Sequence, residues 1–108
     1  VETLVICAGA HSAELTARLG EPLPLEAERG YHVTFSDPQA TLPMPVFMPE
    51  HKFFVTPMEM GLRIAGHSEF AGLYADPDYG RAEVLKQHMR RIFPQIREVD
   101  ATRWMGRR

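Results

Sequence analysis

The chain has 108 residues, 44% hydrophobic and 24% charged, enough for one globular unit with its own core and near the small end for independent stability. Twelve Lys and Arg against fourteen Asp and Glu leave a formal charge of −2, which argues against a nucleic-acid surface, whose affinity comes from neutralising phosphates. One cysteine excludes an internal disulfide; Cys7, in an apolar run, reads as a buried reduced thiol of a cytoplasmic protein, and the apolar runs are too short to span a bilayer.

Thr3 to Ala8 is a continuous apolar run and predicts a buried strand; the small residues Ala8, Gly9 and Ala10 then turn the chain into a short helix, His11 to Leu19, stopped by Gly20. Small residues at the carboxyl end of a strand let backbone approach a ligand closely. This is half of a nucleotide site. The other half, a strand followed by G-x-G-x-x-G, is missing, because no two of the eight glycines are separated by a single residue. The chain also opens at Val1 directly into strand-like sequence and stops in Trp104-Met-Gly-Arg-Arg108, so it reads as a piece of a larger dinucleotide-binding enzyme.

Pro22-Leu-Pro24 forces an extended crossing. From Glu28 to Ser36, Tyr31, Val33 and Phe35 alternate with His32 and Thr34, the pattern of a half-buried strand. Pro43 to Pro49 has edge-strand character, since proline cannot donate to a ladder. Phe53–Pro57 and Leu62–Gly66 predict a hairpin across Met58-Glu-Met-Gly61, with Ser68-Glu-Phe70 prolonging its second strand. Gly72 to Gly80 is a polar loop. Arg81 to Phe93 is a helix with Val84, Leu85, His88, Met89 and Ile92 on its apolar face, and Pro94 ends it; Val99 to Met105 is extended. The class is α+β, a mainly antiparallel sheet with one long helix, preceded by a strand–helix unit.

Gly61-Leu-Arg-Ile-Ala-Gly66-His67-Ser68 has the glycine spacing of a phosphate-binding loop, but His67 replaces the lysine and Leu62 to Ala65 alternates as a strand, so the hairpin reading is preferred. The five histidines show no paired metal-ligand spacing, and no metal set or catalytic acid–base pair is singled out. His51, His67 and His88 read as surface or core histidines, whereas His32, on the polar face of a strand beside Tyr31, is a candidate substrate contact. Asp76 and Asp78 are solvated loop acids, Arg81, Lys86, Arg90 and Arg91 a solvated helix face, and Met44, Met48, Met58 and Met60 core filling.

Several stretches together resemble the FAD-dependent amino-acid oxidoreductases, the group of D-amino acid dehydrogenases, glycine oxidases, sarcosine oxidases and D-amino acid oxidases. Val5-Ile-Cys-Ala-Gly-Ala-His-Ser12 is similar to their second FAD contact, with Cys7 and His11 as departures. Leu23-Pro-Leu25 with Arg29-Gly-Tyr-His32 resembles the opening of their substrate domain, and Phe54-Val-Thr-Pro-Met58, Gly61-Leu-Arg63, Gly66 and Glu69-Phe70 its hairpin. Phe93-Pro94 and Trp104-Met-Gly-Arg-Arg108 resemble the helix end and the Trp-x-Gly-x-Arg-Pro segment, Arg107 standing where an apolar residue is frequent.

The resemblance implies that residues 1–20 belong to an FAD-binding domain and residues 21–108 form a substrate-binding domain. It implies oxidation of the C–N bond of a D-amino acid or similar small amine acid by hydride transfer to FAD. Ala8, Gly9 and Ala10 would contact the cofactor, and Arg108, His32 and Tyr31 the substrate. The expected partners are the amino-acid substrate and the remaining FAD-domain segments; homo-oligomerisation and a membrane or quinone acceptor are left open. The isolated chain is expected to be inactive and colourless. A different class, a stand-alone non-enzymatic α+β binding or dimerisation module, is the alternative.

Overall fold

The computed structural model describes residues 2–108. A 3₁₀ turn, Gly9–His11, leads into helix α1, Ser12–Arg18. Strands β1 (Glu28–Phe35), β2 (Val46–Met48), β3 (Phe53–Met58) and β4 (Gly61–Phe70) follow, then helix α2 (Gly80–Ile92) and strand β5 (Thr102–Arg107). The strands form one antiparallel sheet in the order β2-β3-β4-β1-β5, with the proline-flanked β2 on an edge as its sequence predicts. The α+β class with a mainly antiparallel sheet therefore holds, and so does the hairpin.

Helix α2 covers one face of the sheet. Its stripe of Ala82, Leu85 and Met89 packs against Tyr31, Val33 and Phe35 of β1, Phe53 and Val55 of β3, Leu62 and Ile64 of β4, and Met105 of β5. Alternation in the strands and 3.6-residue periodicity in the helix put these residues on facing surfaces. Val84, expected on the apolar face, is exposed, because positions 82, 85 and 89 centre the stripe elsewhere. The methionine expectation holds for Met48, which packs against the core, and is corrected for Met44 and Met60, which are exposed; Met89 and Met105 lie within the core itself.

Two glycines act through close approach. Gly61 closes the β3–β4 hairpin at φ 124°, and a Cβ there would lie 2.0 Å from the carbonyl oxygen of Phe35. Gly66 lets the turn between β2 and β3 rest against β4, since a Cβ there would meet Phe53 Cβ at 2.8 Å and the Lys52 carbonyl at 3.1 Å. Next to Gly66, the β1–β4 register shifts between Gly30 and Tyr31, leaving His67 as an extra residue with φ 58°. This bulge places Ser68 opposite Gly30 on the open face and Glu69 opposite Arg29 on the helix face.

The amino-terminal segment differs from its expectation. Thr3 to Ala8 forms no ladder, and Leu4 and Val5 are 64% and 76% exposed; Cys7, expected buried, is exposed too. An apolar run becomes a strand only when another strand accepts its backbone hydrogen bonds, and among the described residues none lies beside it. Helix α1 buries no residue and touches the rest through Tyr74, whose hydroxyl donates to Glu14 and whose ring meets His11 edge-on. The radius of gyration, 17.5 Å, exceeds the roughly 13 Å of a compact domain of this length. Leu4, Val5, Leu15 and Leu19 line an apolar groove of about 520 Å³ between the extended segment and α1. We expect the 108-residue chain on its own to self-associate through this groove. Sedimentation at increasing concentration checks this, and a strict monomer at high concentration would contradict it.

Candidate functional site

The face of the sheet opposite α2 carries no helix. The register aligns one transverse row across all five strands on this face: Phe47, Phe54, Ala65, His32 and Trp104. Phe47 stacks on Phe54 with ring centres 4.5 Å apart, and His32 stacks on Trp104 at 4.8 Å and 20°. Ala65 is the low point between two aromatic walls.

Beside this row, β1 and β5 bring together three facing pairs: His32 with Trp104, Gly30 with Gly106, and Glu28 with Arg108. The glycines leave a backbone floor, and larger neighbours fold over it. The Trp104 indole lies on Gly106, where a Cβ would come within 2.0 Å of the ring, and the Arg108 guanidinium lies on Gly30, where a Cβ would stand 2.7 Å from Nη1. The spacing Trp-x-Gly-x-Arg thus has a physical reason: alternate residues share one face, and glycine admits the flat groups on either side of it. A cleft of about 340 Å³ results, bordered by His32, Phe54, Ala65, Trp104, Gly106 and Arg108.

Arg108 donates from Nε to Glu28 Oε2 at 3.3 Å, and from Nη2 to Glu28 Oε1 at 3.1 Å and Ser68 Oγ at 3.3 Å. The bonds from Arg108, and then one that Ser68 Oγ donates to Glu28, hold the Glu28 carboxyl below its ordinary value, and Glu28 raises the guanidinium further. Arg107 turns to another partner, the Leu73 carbonyl, at 2.6 Å. Burial, and then the charge of Arg63, lowers the pKa of His32, so its imidazole is neutral at pH 7.

Tyr31 lies on the helix side of β1. Its hydroxyl donates to Glu69 Oε2 at 2.6 Å and accepts the Asp78 N–H at 3.0 Å. Burial and the bond to Glu69 push the phenol pKa up. The same carboxylate receives Arg29, whose Nε and Nη2 stand 2.9 and 2.5 Å from Oε2, while Nη1 donates to the carbonyls of Ala75 and Asp76. Arg29 is only 1% exposed. Sequence reasoning missed this network, although Arg29 and Tyr31, two apart on one strand, and Glu69 on its hairpin neighbour were the available signal.

Ala8, Gly9 and Ala10 lie far along the chain from the cleft and are brought into no contact with it. Gly9 has φ 54° and nothing within 4 Å of the place a Cβ would take, so a large ligand can approach this backbone. Small residues on an open turn fit a cofactor held by main-chain contacts.

The family model described as "FAD dependent oxidoreductase" matches residues 1–108. A D-amino-acid oxidase from Bradyrhizobium diazoefficiens is 42% identical over 99% of this chain and 26% of its own length. D-amino acid dehydrogenases from Paramagnetospirillum magneticum and Dechloromonas aromatica are 34% and 30% identical, again over 99% of this chain and 26% of theirs. The chain therefore spans about a quarter of the length of these curated relatives. No solved structure matches it. No helix among the described residues is long and apolar enough to cross a membrane. With its sheet, its cleft and its small-residue turn matched end to end, the chain belongs to the FAD-dependent oxidoreductase family.

Proposed function

We propose that the protein carrying this chain oxidises the C–N bond of a D-amino acid or a similar small amine acid, and that the open sheet face is its substrate wall. FAD, when bound, supplies the hydride acceptor that turns the amine into an imine, which water hydrolyses. In this reading residues 1–20 belong to the FAD-binding domain, with Ala8, Gly9 and Ala10 against the cofactor, and residues 21–108 form the substrate-binding domain. The observation that carries it is the convergence of Arg108, His32 and Trp104 on one glycine-floored cleft.

The chain's own residues supply orientation. A guanidinium laid flat on Gly30 keeps Nη1 available beside the donors used by Glu28, so a substrate carboxylate can pair with it while Glu28 holds the side chain in place. Neutral His32, clamped by Trp104, contributes a hydrogen-bonding group without a competing positive charge. Tyr31 supports this wall from behind through Glu69. Fixing the carboxylate and the amine relative to the cofactor lowers the entropic part of the barrier, and no acid–base pair is required of this segment.

Steady-state assays of the full-length protein on D- and L-amino acids, in air and with an artificial electron acceptor, test the reading: D-selective turnover supports it, and none with either acceptor overturns it. His32→Ala in that protein should lower turnover or raise KM several-fold without releasing flavin; unchanged kinetics would return His32 to a surface role. The isolated chain, lacking a G-x-G-x-x-G turn, should purify colourless, and a stoichiometric flavin spectrum would contradict the assignment of the cofactor's main grip to other segments.

A further inference from the structure

At the edge of the sheet, the β2–β3 turn and the β4 bulge border an open pocket of about 510 Å³ lined by His51, Lys52, His67, Ser68 and Arg81, which meets the substrate cleft at His67 and Ser68. Four of the five residues are basic, the fifth is a hydroxyl, and no carboxylate is on the lining. Gly66 makes the juxtaposition, because its missing side chain lets the Lys52 turn close against the bulge that carries His67. Lys52 and His67 both sit in the left-handed region, at φ 54° and 58°. That conformation disfavours a lysine, and glycine or asparagine would fill the turn with less strain.

The positive charge of the lining is only partly offset behind it. Arg81 Nε lies 3.3 Å from Glu69 Oε1 and 3.5 Å from Asp78 Oδ2, close enough for charge pairing but without a hydrogen bond, and Glu69 is already held by Arg29 and Tyr31. His88 stands behind the cavity, its ring 4.7 Å from that of His51 and 6.4 Å from that of His67, and its buried Nδ1 has no partner. Burial first, and then the charges of His51, Arg91 and His67, depress its pKa. Among the described residues these side chains do not form a metal-ligand set. Two permanent cations, Lys52 and Arg81, with imidazole donors beside them, match a dianion better than a single carboxylate.

We propose that His51, Lys52, His67 and Arg81 form a binding site for a phosphate group, either free or as a phosphate monoester, beside the substrate cleft. It does not depend on the proposed oxidation. The test is calorimetric titration of the FAD-loaded full-length protein at constant ionic strength with inorganic phosphate, adenosine 5′-monophosphate, adenosine and acetate. Phosphate or the nucleotide should bind once per chain, the tighter of the two identifying the source; adenosine should not bind, and acetate should bind at least tenfold more weakly. Lys52→Asn, which removes the charge and suits the left-handed turn, should weaken phosphate at least fivefold, as should His51→Gln, with amino-acid turnover unchanged in both. No saturable phosphate binding, equal affinity for acetate, or full affinity in a folded Lys52→Asn protein would each overturn the proposal.

Discussion

Arg29→Ala is expected to destabilise the fold by about 3–5 kcal/mol, the cost of breaking a buried ion pair from one side. The guanidinium is almost fully enclosed and ties β1 to Glu69 of β4 and to the carbonyls of Ala75 and Asp76 in the loop that leads into α2. Its removal leaves the Glu69 carboxylate only Tyr31 and the more exposed Arg81, takes the donor from two carbonyls, and frees the loop from the sheet. For a domain of this size the melting temperature should fall by roughly 12 °C or more. Arg29→Met combined with Glu69→Leu should recover part of the loss, because no unpaired charge is then left inside. Urea unfolding of the three proteins checks this, and a single variant within 1 kcal/mol of the parent would show that the network is not a stability element.

The same network makes the stability of the fold sensitive to acid. The hydrogen bond from Tyr31 is the largest influence lowering the Glu69 pKa below its ordinary value of 4.5, and Arg29 adds to it against the opposing effect of burial. A carboxyl whose pKa is lower in the folded state binds protons more readily when unfolded. Its contribution to stability is therefore complete above pH 4.5 and is lost as the pH falls through the lower folded value.

How far this molecule can be read from its sequence follows from the range of the forces that shape each part. The β1 alternation of Tyr31, Val33 and Phe35, the hairpin closed at Gly61 and the α2 stop at Pro94 are local patterns, and they reappear as residues of the core and as ends of elements. Thr3–Ala8 failed as a strand because pairing is a property of two segments, and the apolar run specifies only one of them. Arg29 and the cluster around His88 were illegible for a related reason: their meaning depends on the bulge at His67, which shifts Glu69 onto the helix face and which no local pattern announces. The cleft was partly legible. Trp104, Gly106 and Arg108 declare one shared face by their spacing, but only the register with β1 shows that Glu28, Gly30 and His32 complete it.

Arg108 is where the proposed activity is most exposed to test. In the full-length enzyme Arg108→Ala is expected to lower kcat/KM by roughly two orders of magnitude or more, since a desolvated charged contact is typically worth ~2–5 kcal/mol. Arg108→Lys should lose most of this as well, because an ammonium keeps the charge but cannot hold both carboxylate oxygens in one plane. The structure adds a control. Glu28 and Ser68 orient the guanidinium over Gly30, so Glu28→Gln, which weakens that grip without touching the arginine, should cost less than Arg108→Lys. Arg107→Ala should also cost less, since its guanidinium is committed to the Leu73 carbonyl. Steady-state kinetics on one D-amino acid across the four variants gives the ranking. If Arg108→Ala stays within threefold of the parent while Arg107→Ala cripples the enzyme, the carboxylate is held one residue earlier in β5; if neither matters, the substrate is fixed by groups outside this sheet.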